Sequence, residues 1–269
     1  MRLAVRLLSC ALLLGASSVA SCHGCDSLTD RKNGLPELVD LTLPNDPKEL
    51  HTLSDHTYWR SRKLIDLLRA RLALHKALRL DQGSFGSQWR LARIDGVLAR
   101  IDEPRAATWV AEARRAAESA ITLRPDRVEG HLYFAIATGL AAKLHAGEAI
   151  RLLETMVASL TRAIAIDPRY NQGEPRRVLG ATYLYAPAWP TGVGDLEESI
   201  AVLKDVAREF PHEPQNLYFL ADAYRKAEQR SEAVALFRRV LASPRKGLWA
   251  VEGPPYRTLS QRALSELVR

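Results

Sequence analysis

Residues 217–244 read LYFLADAYRKAEQRSEAVALFRRVLASP, and the spacing inside this stretch decides the fold. Large and small residues recur as Leu217-x2-Leu220-Ala221-x2-Tyr224, then as Ala233-x3-Phe237-x2-Val240, with Pro244 behind them. Spacings of three and four place such side chains on one face of a helix. Two helices of this kind pack with their axes about 8–10 Å apart, so the residues at the crossing must be small and larger ones fill the space around it. Pro244 ends the second helix, because proline lacks a donor and clashes with the preceding turn.

The same grammar recurs upstream. Ala113, Ala117, Ala120 and Pro125 repeat the second-helix spacing, as do Met156, Leu160, Ala163 and Pro168, and Ser199, Leu203, Val206 and Pro211. Ala70, Leu74, Ala77 and Gln82 form a degenerate first copy. Trp89 to Ala99, Leu132 to Leu144, and Leu179-Gly180-x2-Tyr183 supply candidate first helices. Tandem copies closed by aligned prolines mark a repeat architecture. They resemble the tetratricopeptide (TPR) repeat, with the last proline one position early. The resemblance runs from about residue 60 to 245 and implies an all-α fold, a TPR-like α-solenoid of antiparallel helix pairs. Pro254 to Val268 is the expected capping helix.

One unit departs from the pattern. Tyr224 to Ala233 spans the regular nine positions, but Tyr183 to Ser199 spans sixteen, an insertion of seven. The inserted tract, Tyr185 to Asp195, holds Pro187, Pro190, Gly192 and Gly194, which rule out a continuous helix. Asp195, with Glu198 three residues on, can cap the next helix. Trp189 beside two prolines is either a stiff exposed anchor or a plug for its own helix pair. The two earlier units are also stretched, so their helices or turns should exceed the standard repeat.

The N-terminus reads as a targeting segment. Arg2 and Arg6 precede an apolar run from Leu7 to Val19, too short to span a bilayer and suited to a signal-peptide core. Val19-Ala20-Ser21-Cys22 resembles the bacterial lipobox, which implies lipid attachment at Cys22 after removal of residues 1–21. Residues 22–50 hold Asn33-Gly34, Pro36, Pro44 and Pro47 without sustained apolar periodicity, and read as a flexible tether. Residues 51–269 then form the repeat domain.

The lipobox, the insertion with its Gly192-Val193-Gly194-Asp195 turn, and Leu179-Gly180-Ala181-Thr182-Tyr183 together resemble the TatT-type TPR lipoproteins associated with TRAP transporters. Val193 is one residue more than that family's turn. The resemblance implies a scaffold in the bacterial cell envelope, lipid-anchored and periplasm-facing, whose partner is an envelope protein such as a periplasmic solute-binding protein. An alternative is a carrier that holds a hydrophobic small molecule between helices. Tyr183, Tyr185, Trp189, Tyr218 and Tyr224 are the candidate partner- or ligand-binding residues under either reading.

Reaction chemistry is not written in this chain. Its seven histidines include no His-Glu-x-x-His, and His51 and His56 lack a third ligand. There is no Gly-x-Ser-x-Gly elbow and no phosphate loop. No catalytic residue, metal ligand or cofactor is expected, so the chain is read as a non-enzyme. The formal charge of +7 falls to +5 without Arg2 and Arg6, and arginine supplies 30 of the 38 basic residues. In an exported protein, anionic lipid headgroups, cell-wall polymers or an acidic partner fit this charge better than nucleic acid does.

Overall fold

The computed structural model describes residues 43–268. The expected signal segment, Cys22 and residues 22–42 of the expected tether lie outside the described residues. Those described form eleven α-helices. They pair in order along the chain: α1 (Pro47–Arg60) with α2 (Leu64–Leu80), and α3 (Phe85–Ile101) with α4 (Ala106–Leu123). Then come α5 (Val128–Leu144) with α6 (Ala149–Ile166), α7 (Tyr170–Tyr185) with α8 (Leu196–Glu209), and α9 (Pro214–Lys226) with α10 (Arg230–Ala242). A last helix, α11 (Leu248–Leu267), packs on the final pair. The fold is the all-α, TPR-like solenoid that the spacing predicts. The four helices from α3 to α6 have 17 or 18 residues each, against 13 for α9 and α10, so the stretched units are stretched in their helices.

The small residues sit where the helices meet. Ala77, Ala113, Ala117, Ala120, Ala163, Ser199, Ala221 and Ala233 are fully buried. Gly180 shows why size matters there: a Cβ on it would lie 2.6 Å from Leu203 Cγ, inside contact distance. Ser199 Oγ donates to the Gly180 carbonyl at 2.8 Å, so the same close approach is also hydrogen-bonded. Around these crossings Phe237, Leu132, Met156, Leu160 and Leu203 are almost wholly removed from solvent. Burial of each such side chain is worth about 1.5–3 kcal/mol, which is what holds adjacent hairpins together.

Two boundaries differ from the sequence reading. The tether was expected to run to residue 50, yet α1 starts at Pro47, and Leu50 is fully buried against Ala73 and Ala77. Asn45-Asp46-Pro47 looks like a chain breaker but works as a start signal. The Asp46 carboxylate accepts from the Lys48 and Glu49 amides, and proline at the first helical position has no donor to lose. The cap was expected to begin at Pro254, yet α11 begins at Leu248 and carries Pro254 and Pro255 inside it. Trp249 and Tyr256, on either side of the prolines, pack with tilted rings whose centroids are 5.6 Å apart, and Tyr256 lies 4.9 Å from Tyr218. Packing on both flanks overrides the local preference to break.

A third irregularity positions the site. At the start of α7, Asn171, Gln172 and Gly173 have positive φ, and ordinary helical turns begin only after them. Gly173 is required at this bend, because a Cβ would lie 2.2 Å from Val206 Cγ2. Pro175 stands in the first ordinary turn, where proline is tolerated.

Candidate functional site

The odd-numbered helices line the inside of the superhelix, and α11 comes round to touch α1. A chain of six inner helices thereby closes into a ring around a cavity of about 80 Å³. A water needs roughly 10–15 Å³ of such space, so the cavity holds about five waters or one very small molecule. Residue spacing explains its polar character. Arg93, Gly96, Val97 and Arg100 share one face of α3 and look into the cavity. Glu174, Arg177, Val178 and Ala181 do the same from α7, while α11 adds Glu252 and Tyr256. Tyr58, Tyr133 and Phe219 complete the aromatic part of the wall.

Arg93 is buried in the middle of a stretch of α3, Leu91 to Ala99, that is buried throughout. Its guanidinium lies 4.0 Å from the Tyr58 ring centroid and 4.8 Å from that of Trp89. Nη2 pairs with Asp55, which also accepts from Arg90 Nη2 at 2.8 Å. Burial opposes ionisation of Asp55, but hydrogen bonds and charge from Arg90 and Arg93 outweigh it and hold the carboxyl below its ordinary range. Arg93 Nε is buried and has no hydrogen-bond partner among the described residues.

The two carboxylates of the cavity are engaged. Glu252 accepts from Arg62 Nη2 at 2.5 Å and from Gln215 Nε2 at 2.9 Å. Glu174 accepts from Asn171 Nδ2 at 2.6 Å, and burial pushes its carboxyl up against the opposing pull of Arg177. Arg177 donates to Asn216 Oδ1 at 3.0 Å and stays 4.0 Å from Glu174. Arg100 is half-buried and makes no hydrogen bond or ion pair with another described residue. None of these cavity residues was singled out from sequence. The available signal was the seven-residue interval between Arg93 and Arg100, which puts two arginines on the same apolar helix face.

None of the five aromatic residues expected to bind a partner or ligand lines this cavity. Tyr185 is buried and donates through its hydroxyl to Asp222, with Lys226 Nζ 4.4 Å from its ring centroid. Tyr218 is buried against Phe219, Phe237 and Tyr256. Tyr183 and Tyr224 are half-buried, and their carbonyls accept from the Asp195 and Gln229 amides at 3.0 and 2.9 Å. Trp189 stands apart with 82% of its surface exposed.

The loop under Trp189 is tightly built. Gly194 N donates to the Pro187 carbonyl at 2.7 Å, and Asp195 N to the Tyr183 carbonyl at 3.0 Å. Cβ atoms on Gly192 and Gly194 would lie 2.4 Å from Pro187 O and 2.2 Å from Ala186 O, so backbone passes where side chains would stand. Asp195 caps α8 as its spacing predicts, accepting from Glu198 N at 3.0 Å. The plugging alternative for Trp189 is therefore not the one adopted. Among the described residues no group of three or more candidate ligands could hold a metal ion, and no helix is long and apolar enough to cross a membrane.

Comparison with known proteins agrees with this architecture. Residues 192–250 match the tetratricopeptide repeat family. A thermophilic TPR protein of Thermus thermophilus superposes with a TM-score of 0.64 at 18% identity, covering 82% of this chain and all of that one. Yeast Tom70 gives 0.49 at 16% identity over 82% of this chain and 40% of that one. MamA gives 0.45 at 17% identity over 73% and 91%. The likeness to the Thermus thermophilus protein is one of fold. No curated protein matches the chain.

Proposed function

We propose that the chain is a bacterial cell-envelope lipoprotein, anchored through Cys22, whose solenoid holds a periplasmic solute-binding protein as an accessory to a TRAP-type transporter. TPR proteins generally act in protein–protein interaction, and the fold is typically a non-catalytic scaffold. What supports a docking role is the exposed Trp189 on a loop braced by backbone hydrogen bonds. A tryptophan held rigidly in solvent loses little entropy on docking and presents a large apolar area, the character of an interaction hot spot. The central cavity, about 80 Å³, is small beside a peptide segment, so in this reading the partner docks on the outer surface where Trp189 stands.

The experiment is a crosslinked pull-down from membranes of the native host, using wild-type protein and Cys22→Ala, with partners identified by mass spectrometry. Recovery of a periplasmic solute-binding protein, lost in Cys22→Ala, is the expected result. Recovery of outer-membrane assembly or cell-wall proteins instead would favour a general scaffold over the transporter role.

A further inference from the structure

We propose that the central cavity is a binding site for one small organic carboxylate, held by Arg100 and Arg177. The argument is one of donors left over. Each guanidinium carries five N–H groups and no acceptor. Arg93 is 6% exposed and spends its guanidinium on Asp55 and on the Tyr58 and Trp89 rings, so it adds positive charge to the cavity wall rather than a free donor. Arg177 is 5% exposed, donates to Asn216 from Nη1, and holds Glu174 only at 4.0 Å from Nη2. Arg100 makes no hydrogen bond or ion pair with another described residue.

The acceptors that could use these donors are already partly engaged or weakened. Each oxygen of Glu252 already accepts one hydrogen bond, from Arg62 and from Gln215. Glu174 is turned to Asn171, and burial favours its neutral form. A cavity with arginine donors to spare and net positive charge fits an oxyanion, because ionised carboxylates only accept and bind arginine in a two-pronged geometry. Size and wall chemistry narrow the class. About 80 Å³ accommodates roughly five to eight non-hydrogen atoms. Val97, Ile136, Val178 and Phe219 line the same space and offer a surface for a short aliphatic body, which inorganic phosphate lacks. Arg100 is only half-buried, so the site can be reached from solvent. The inference is independent of which protein docks at Trp189.

Calorimetry and thermal unfolding of the purified full chain test this with acetate, butyrate, succinate, inorganic phosphate and uncharged butyramide as probes. Butyrate or succinate should bind and raise the melting temperature, while butyramide should do neither. Arg100→Met keeps the aliphatic stem and removes the charge. Since Arg100 holds no other partner, that variant should melt like the wild type without ligand and lose at least tenfold in affinity, with partial recovery in Arg100→Lys. No binding by any carboxylate would overturn the proposal. So would equal affinity in Arg100→Met, or binding of phosphate alone.

Discussion

Arg62 Nη2 donates to Glu252 Oε1 at 2.5 Å across 190 positions of sequence, so the chain just past the first inner helix is tied to the last. Both side chains are more than four-fifths buried. The Arg62 guanidinium also lies 4.6 Å from the Tyr58 ring centroid, which orients it toward α11. A solenoid whose repeats touch only their neighbours would have free ends. Here a buried ion pair joins them, and the central cavity exists because of that closure.

Glu252→Ala should therefore open the ring. Loss of a largely buried charged hydrogen bond is expected to cost about 1.5–3 kcal/mol. Small-angle scattering should show a larger radius of gyration and circular dichroism an unchanged helix content. An unchanged radius would mean that the aromatic contacts of α11 close the ring without the ion pair.

Gly194→Ala should distort the loop that carries Trp189. Its new methyl would meet the Ala186 carbonyl at 2.2 Å, a backbone contact that cannot rotate away. Overpacking of this kind costs about 1–3 kcal/mol. Trp189→Ala should leave thermal stability within about 0.5 kcal/mol of wild type, because its side chain touches little. Denaturant unfolding of the two variants would check both statements, and a large loss in Trp189→Ala would contradict the exposed placement.

Phe237→Ala should be the severe case. Its ring is 1% exposed and packs against Tyr218 at a centroid separation of 6.0 Å. Truncation of a buried phenylalanine costs about 3–5 kcal/mol. A midpoint shift much smaller than that would show that α11 collapses into the space left behind.

His75 predicts a pH dependence. Burial first, then the charges of Arg71 and Arg79, lower its pKa from 6.5 to about 4, and Nε2 has no partner among the described residues. The unfolded chain takes up a proton near pH 6.5, whereas the folded chain resists it until about pH 4. Its contribution to stability is thus present above pH 6.5 and is lost as the pH falls toward 4. Asp95 acts oppositely. Burial raises its carboxyl to about 7 despite Arg71, so its contribution is lost as the pH rises through that value. Unfolding of wild type and His75→Phe at about pH 7 and about pH 5 separates the two, since the variant should lose less on acidification.

The helix grammar was legible because solenoid packing is local. Ala113, Ala117 and Ala120 reveal their role by spacing alone, as each contacts the neighbouring helix. Asp195 was legible for the same reason, its capping partner being three residues away. The cavity was not. Arg93, Arg177 and Glu252 meet only when the ring closes, and nothing in one helix records the curvature summed over the successive pairs. Tyr185 and Tyr218 were read as candidate binding residues on aromatic character, yet Asp222 and the α11 rings hold them in the core. Prolines misled at both ends, since Pro47 starts a helix and Pro254 lies within one.

The most direct test of the account is a photo-crosslinking amino acid placed at position 189 in the native host, with the same probe at exposed Leu123 on α4 as the control. The account predicts one dominant adduct from position 189, a periplasmic solute-binding protein, and none of it from position 123. Absence of any protein adduct at 189, or the same adducts from both positions, would contradict it.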